Sequence, residues 1–222
     1  SLPGGCAIGT RPVDIHLFGL KKLGAKIKIK NGYILAEAKK GLTGTKIKFP
    51  SISVGATENV IIAACLANGI THLKNCACEP EIKNLTNFLK KMGIKITWIN
   101  NREIKIVGNK SLRAVSHNVM FDRIEAGTFI IAAALACKQI KISGLETKIL
   151  KSELKYLKKM GVKMKIGKND IKVLKSLNIK PVSIKTEPYP GFPTDLQAQI
   201  MVLMTKAKGT SKIKENIFEN RF

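Results

Sequence analysis

The chain has 222 residues, of which 45% are hydrophobic and only 5% aromatic. A chain of this length can bury a sizeable core as one large domain or two modest ones. Its apolar runs all fall short of the roughly 18 residues that cross a bilayer, and its first residues lack the order of a signal peptide. We therefore expect a cytoplasmic protein with no membrane partner.

The formal net charge of +24 would suit a nucleic-acid-binding protein. Nearly all of the positive residues are lysines scattered along the chain, however, and no aromatic-rich basic motif of the kind that reads RNA is present. Lysine at alternate strand positions is typical of a solvated sheet face. We expect no nucleic-acid partner, although a basic nucleic-acid-binding protein stays open as an alternative.

The cysteines form an odd set without the spacing of a disulfide framework, which favours reduced thiols. They are Cys6, Cys65, Cys76, Cys78 and Cys137. The three histidines are scattered, so the Cys76-x-Cys78 pair lacks the further ligands that zinc usually needs. We expect neither a metal nor another cofactor.

The first element in chain order is the stretch SLPGGCAIGTRPVD, a Gly-rich turn with a single thiol at Cys6. Gly4 and Gly5 permit positive φ and close approach to a ligand. Arg11 lies near enough in sequence to add positive charge. From these residues alone the thiol can be structural, redox-active or catalytic.

An internal repeat follows. LKKLG, LKKMG and LKKMG begin at Leu20, Leu89 and Leu157, at offsets of 69 and 68 residues. Apolar runs recur at a similar period, from Ile61, Ile130 and, more weakly, Ile200. A turn of small residues and threonine precedes each run, as VGAT, EAGT and FPTD. Matched landmarks at a fixed period indicate one structural unit used repeatedly.

Each unit predicts the element order β-α-β-α-β-β. Thr57 and Thr128 are plausible helix caps, and the apolar runs after them predict buried helices. PEIKNLTNFLKKMG predicts an amphipathic helix that stops at Gly93, and IKITWI and REIKIV predict two strands joined by a polar turn. We place a domain break near residue 120, giving lobes 1–120 and 121–222 with a ligand cleft between them.

Six motifs then carry a resemblance. They are LPGGCAIGTRPVDIHL (2–17), SVGATEN (53–59), EPEI (79–82), DRIEAGTF (122–129), FPTDLQAQ (192–199) and FENRF (218–222). In this order they resemble the UDP-N-acetylglucosamine 1-carboxyvinyltransferases, a family of enolpyruvyl transferases. The resemblance implies an α/β fold, the inside-out α/β barrel built of repeated β-α-β-α-β-β subdomains, here incomplete.

The resemblance also implies a reaction. The enolpyruvyl group of phosphoenolpyruvate passes to the 3-hydroxyl of UDP-N-acetylglucosamine by addition and elimination, the first committed step of peptidoglycan synthesis. Cys6 would be the general acid, would form an adduct with phosphoenolpyruvate and would be alkylated by fosfomycin. Arg11 would bind the phosphate of phosphoenolpyruvate, Asp195 would be the general base, and Arg221 would help to hold the reacting anion.

The same resemblance implies the nucleotide-sugar site. It would comprise Arg11, Pro12, Val13, Asp14 and Ile15, then Ser51, Ile52, Ser53, Val54 and Gly55, together with Asp195 and Ile217. Ser51 stands where many relatives carry lysine, so a charge contact to the diphosphate would be missing. Taken singly, Asp195 is more often a helix cap and Arg11 a solvated loop residue, and only the motifs taken together favour the functional interpretation.

Members of the family begin before the Cys6 loop and continue past FENRF. We therefore expect a chain that is truncated at both ends. Alone, it should bind substrates poorly and catalyse the reaction weakly or not at all. A sibling enolpyruvyl transferase acting on shikimate 3-phosphate is an alternative that the Cys6 loop argues against. A non-catalytic fragment or paralogue that serves as a binding module is another. The oligomeric state stays open.

Overall fold

A computed structural model of the chain describes residues 12–218 and 220–221. Two compact units divide it, the first ending at Val119 and the second beginning at Met120, and each is described by itself below. Cys6 and Arg11 lie outside the described residues. Within the ranges that are described, no helix is long and apolar enough to cross a membrane.

The first unit alternates helices with short strands. Its elements are α1 (Asp14–Lys22), β1 (Lys26–Lys30), β2 (Tyr33–Glu37), β3 (Lys46–Lys48), α2 (Val54–Cys65), β4 (Ile70–Lys74), α3 (Pro80–Lys91), β5 (Lys95–Asn100) and β6 (Glu103–Val107). From β3 to β6 the order is the predicted β-α-β-α-β-β. The predicted stop of α3 is confirmed as well, because Gly93 follows it with φ +106°, a conformation that glycine adopts without steric cost.

A four-stranded sheet with the order β3-β4-β6-β5 forms the frame of the first unit. β3 is parallel to β4, and the other neighbours are antiparallel. Ile47, Leu73 and Ile104 align across the sheet and are at most 1% exposed. In the next row Lys48, Lys74 and Glu103 align on the opposite face. The period of two therefore buries isoleucine and leucine against α2 and α3 and leaves lysine in solvent.

The second unit repeats the pattern with less complete sheets. Its elements are α4 (Arg123–Ala136), β7 (Gln139–Ser143), a 3₁₀ turn (Thr147–Leu150), α5 (Lys151–Lys159), β8 (Met164–Ile166), β9 (Asp170–Leu174), β10 (Ser183–Lys185), a 3₁₀ turn (Thr194–Leu196), α6 (Gln197–Met204) and β11 (Lys212–Lys214). β7, β9 and β8 form an antiparallel sheet, and β10 pairs in parallel with β11. One core joins the three helices to these strands around Ile130, Leu157 and Ile200.

The predicted threonine caps are wrong. Ser53 caps α2, its hydroxyl accepting from the Ala56 amide at 3.3 Å. Asp122 caps α4, its carboxylate accepting from the amides of Ile124 and Glu125. Thr57 lies one turn inside α2, where its hydroxyl donates to the Ser53 carbonyl and accepts from the Ala77 amide. The capping oxygen belongs to the residue whose backbone is still extended, and that residue is Ser53.

The helices predicted to be buried are only partly so. α2, α4 and α6 each turn one side into the core and keep apolar side chains in solvent on the other. Ile62, Phe129 and Val202 are more than half exposed. The apolar runs therefore identify the helices correctly but overestimate how much of each helix is covered within its unit.

Candidate functional site

The pair formed by Asp195 and Arg221 lies in the second unit. Asp195 belongs to the 3₁₀ turn before α6, and Arg221 belongs to the FENRF motif. The Arg221 Nη1 lies 3.1 Å from the Asp195 Oδ1. The guanidinium also lies 5.7 Å from the centre of the Phe218 ring, within the range of a cation–π contact. The structure thus brings two predicted site residues into direct contact.

The turn that carries Asp195 is held against α4. A Cβ at Gly127 would lie 2.4 Å from the Leu196 Cδ1, so the absence of a side chain there lets Leu196 pack on the helix. Two residues into α6, the Gln199 amide donates to the Thr128 hydroxyl at 3.0 Å. The glycine and threonine of the EAGT motif therefore fix the place of the FPTDLQAQ segment, a role that the sequence did not reveal.

Glu215 links the same turn to the segment that carries Ile217. One carboxylate oxygen accepts from the Thr194 hydroxyl at 2.9 Å. The other accepts from the backbone amides of Ile217 at 2.7 Å and Phe218 at 3.1 Å. Burial raises the pKa of this carboxyl, but these hydrogen bonds outweigh it and lower the pKa overall. Sequence reasoning missed Glu215, since nothing local marks a partner 21 residues away.

The predicted nucleotide-sugar segments lie in the first unit. Asp14 opens α1 without a side-chain capping bond, and Ser53, Val54 and Gly55 open α2. The two helices pack closely, since a Cβ at Gly19 would lie 2.2 Å from the Val60 Cγ2. Segments 12–15 and 51–55 therefore lead into the starts of two helices that pack together.

His16 and Asn59 connect these two helices directly. The His16 Nδ1 lies 2.6 Å from the Asn59 amide nitrogen, and a Cβ at Gly55 would come within 3.1 Å of the His16 ring. Burial lowers the pKa of His16, opposed by the negative charge of Asp14. A neutral imidazole can accept from the amide, which fits the short distance. Neither residue was predicted, although His16 directly follows the predicted segment.

The exposure of the remaining predicted residues suits contact with a ligand. Pro12 and Ser51 are exposed, Val13, Ile15 and Ile52 are half-buried, and Ile217 is 38% exposed. Ser53 is committed to capping α2 through its hydroxyl. The first unit thus holds the predicted nucleotide residues 12–15 and 51–55, whereas the second holds Asp195, Ile217 and Arg221.

Three of the four described cysteines are buried, which disfavours the reactive thiolate form. They are Cys65, Cys76 and Cys78. Burial raises the pKa of the Cys65 thiol to about 11 and that of Cys76 to about 12, the latter opposed by Arg102. Among residues 12–218 and 220–221, no group of three or more His, Cys, Asp or Glu side chains is placed to hold a metal ion.

The family model of EPSP synthase, 3-phosphoshikimate 1-carboxyvinyltransferase, matches residues 1–222. A UDP-N-acetylglucosamine 1-carboxyvinyltransferase of Pelagibacter ubique is 60% identical over all 222 residues. A second relative, UDP-N-acetylglucosamine 1-carboxyvinyltransferase 1 from Clostridium acetobutylicum, is 52% identical over the same length. The chain spans 53% of each of these two relatives.

Solved structures share the fold. The enolpyruvyl transferase NikO from Streptomyces tendae matches with a TM-score of 0.86 at 23% identity, over 95% of this chain and 53% of that one. EPSP synthase from Acinetobacter baumannii matches with a TM-score of 0.65 at 19% identity, over 95% of this chain and 50% of that one. At these identities the likeness concerns the fold alone.

Proposed function

The chain belongs to the EPSP synthase family, and from this premise we propose that it serves in enolpyruvyl transfer to UDP-N-acetylglucosamine. The predicted α/β fold of the enolpyruvyl transferase type is confirmed by the family match and the solved structures. The observation that carries the choice of substrate is the 60% identity over the whole chain to a UDP-N-acetylglucosamine 1-carboxyvinyltransferase.

In the proposed reaction the 3-hydroxyl oxygen of the sugar bonds to C2 of phosphoenolpyruvate. Asp195 accepts the hydroxyl proton, and Cys6 supplies a proton to C3, which gives a saturated intermediate. Loss of a C3 proton and cleavage of the bond from C2 to the phosphate oxygen then restore the double bond and release phosphate. The 62% exposure of the Asp195 side chain supports its assignment as the base, because a substrate hydroxyl can reach it.

Arg11 is proposed to bind the phosphate of phosphoenolpyruvate, for which a guanidinium has the bidentate geometry. Arg221 is proposed to hold the reacting anion and to orient Asp195 beforehand, which its 3.1 Å contact supports. The nucleotide sugar would contact segments 12–15 and 51–55, Asp195 and Ile217. The adjacent starts of α1 and α2 support this grouping.

The two units are proposed to be parts of the two lobes of an enolpyruvyl transferase, residues 1–120 and 121–222. Peptidoglycan synthesis in the cytoplasm and alkylation of Cys6 by fosfomycin belong to the same proposal. Cys6 alkylation is read by intact mass after treatment with fosfomycin, and Cys6→Ser should abolish the mass gain.

The test of the function is phosphate release by the protein expressed from its complete native reading frame. Phosphoenolpyruvate should release phosphate with UDP-N-acetylglucosamine and not with shikimate 3-phosphate. Asp195→Asn should lower kcat by roughly 100-fold or more, since general base catalysis contributes about that much. Asp170→Asn is the matched control, a half-buried carboxylate paired with Lys141, and should leave kcat unchanged. Activity with shikimate 3-phosphate instead, or full activity of Asp195→Asn, would contradict the proposal.

A further inference from the structure

Glu215 makes hydrogen bonds to two separate segments of the candidate site. Its carboxylate receives the Thr194 hydroxyl, next to Asp195, and the amides of Ile217 and Phe218. Charged acceptors make the stronger hydrogen bonds in proteins. The three donors belong to the 3₁₀ turn before α6 and to the segment that follows β11, so one carboxylate joins two parts of the chain that lie apart in sequence.

The backbone around Glu215 is fixed to the core at the same point. The amide of Asn216 donates to the Thr186 hydroxyl at 2.9 Å, and the Asn216 side chain donates to the Thr186 carbonyl at 3.3 Å. Thr186 is fully buried at the end of β10. β10 pairs in parallel with β11, which ends at Lys214. Glu215 therefore leaves a defined strand and has a defined direction.

From this geometry we infer that Glu215 is a positioning residue, which holds the Asp195 turn and the Ile217 turn in one arrangement. The inference rests on the proposed function, in which Asp195 is the base and Ile217 contacts the nucleotide sugar. Glu215 touches neither reacting group. It positions Asp195 through the Thr194 hydroxyl, and it positions Ile217 through the two backbone amides. The two roles can therefore be separated by mutation.

Three variants separate them in the protein expressed from its complete reading frame. Glu215→Ala removes both links and should lower kcat roughly 10- to 100-fold, as small misplacements of catalytic groups do, and should also raise KM for UDP-N-acetylglucosamine. Thr194→Val removes only the link to Asp195, so kcat should fall while KM for the nucleotide sugar stays unchanged. Glu215→Gln keeps an amide oxygen for the two backbone donors, so its KM for UDP-N-acetylglucosamine should stay close to that of the unaltered protein.

Glu146→Gln is the matched control, since it removes a half-buried glutamate that pairs with Lys148. It should leave kcat and both KM values unchanged. The inference is overturned if Glu215→Ala and Thr194→Val keep normal kcat and KM in their folded fraction, even where their melting temperatures fall. That result would make Glu215 a structural residue only.

A second readout does not depend on turnover. Amide hydrogen exchange at Ile217 and Phe218 should quicken by roughly 10-fold or more in Glu215→Ala, since lost hydrogen bonds lower local protection, and should be unchanged in Thr194→Val. If the unaltered protein transfers no enolpyruvyl group, the proposed function fails. Hydrogen exchange then still tests whether Glu215 holds the Ile217 segment in place. Unchanged exchange in Glu215→Ala would overturn the linkage whatever the activity.

Discussion

Arg221 and Asp195 make a 3.1 Å ion pair in which the guanidinium is 15% exposed and the carboxylate 62% exposed. An ion pair whose carboxylate is open to solvent contributes little to stability, about 0–1 kcal/mol. Its consequence is orientation, because a nearly enclosed arginine sets the direction of a carboxylate that solvent and ligands can reach. The FENRF motif thus acts on the FPTD motif before any substrate is bound.

Arg221→Ala should therefore lower kcat strongly and leave the free energy of unfolding within about 1 kcal/mol of the original. Arg221→Lys should keep part of the activity, because it retains the charge but not the planar fork. Phosphate release and urea denaturation measure the two quantities. Arg113→Ala, which removes an exposed arginine of the first unit, is the control. Equal kcat in Arg221→Ala and Arg113→Ala would argue against an orienting role.

The contact between α1 and α2 should be sensitive to a single methyl group. Gly19→Ala would place a Cβ 2.2 Å from the Val60 Cγ2, and valine has little rotamer freedom in a helix. We expect a loss of about 1–3 kcal/mol in the free energy of unfolding, typical of overpacking. The new methyl group should also push α1 away from α2, and this shift should raise KM for UDP-N-acetylglucosamine.

Val60→Ala tests the cause. It leaves room for the new methyl group, so the double variant should lose less stability than the sum of the two single variants. Urea denaturation of all four proteins gives the coupling. Additive losses would mean that a methyl group at position 19 does not meet the Val60 side chain.

Removing one member of the buried ion pair between Arg123 and Glu153 should lower the free energy of unfolding strongly. Their side chains are 10% and 3% exposed, and Nη1 lies 3.5 Å from Oε1. Glu153→Leu leaves a buried guanidinium without its carboxylate, which costs about 3–5 kcal/mol in comparable pairs. Arg123→Met combined with Glu153→Leu should recover much of that loss, measured by chemical denaturation. A double variant no more stable than Glu153→Leu would count against a simple charge effect.

The buried thiols predict a loss of stability in alkali. The pKa of Cys65 is raised from 9.0 to about 11 and that of Cys76 from 9.0 to about 12, both chiefly by burial. A raised folded pKa adds stability that is fully present below the unfolded value and is lost as pH rises through the folded value. The free energy of unfolding should therefore fall from pH 9 upward through this contribution.

Cys65→Ala combined with Cys76→Ala isolates the effect. Lysine deprotonation is common to both proteins, so the difference between their pH profiles reports the thiols. Between pH 9 and pH 10.5 the original should lose about 1.5 kcal/mol per thiol more than the variant, on the scale of 1.36 kcal/mol for each pKa unit. Parallel profiles would mean that these thiols ionise as readily in the folded protein.

Local patterns predicted the elements well because they depend on local spacing. The alternation in 95–107 predicted β5 and β6, and Gly93 marked the end of α3, since each signal lies within a few residues. The prediction of Thr57 as the cap failed because Ser53, one turn earlier, also carries a hydroxyl, and only the backbone angle distinguishes the two positions. The confirmed fold class came from motif resemblance as well as from the repeat.

The links that organise the site could not be read from the sequence. Glu215 meets Thr194 across 21 residues, and His16 meets Asn59 across 43. Such contacts depend on how β10 pairs with β11 and how α1 packs on α2, and no spacing rule encodes either. The site assignments of Cys6, Asp195 and Arg221 stay predictions that the proposed assays test.

The placement of lysine on the solvent-facing side of the strands affects how the stability of the protein depends on ionic strength. α2, α4 and α6 contain no lysine, whereas Lys46, Lys48 and Lys74 stand on one sheet face with Glu103 among them. Like charges held within about a Debye length of one another repel, and dissolved salt screens that repulsion. Moderate salt should therefore make this protein harder to unfold, the reverse of a protein held together by surface ion pairs.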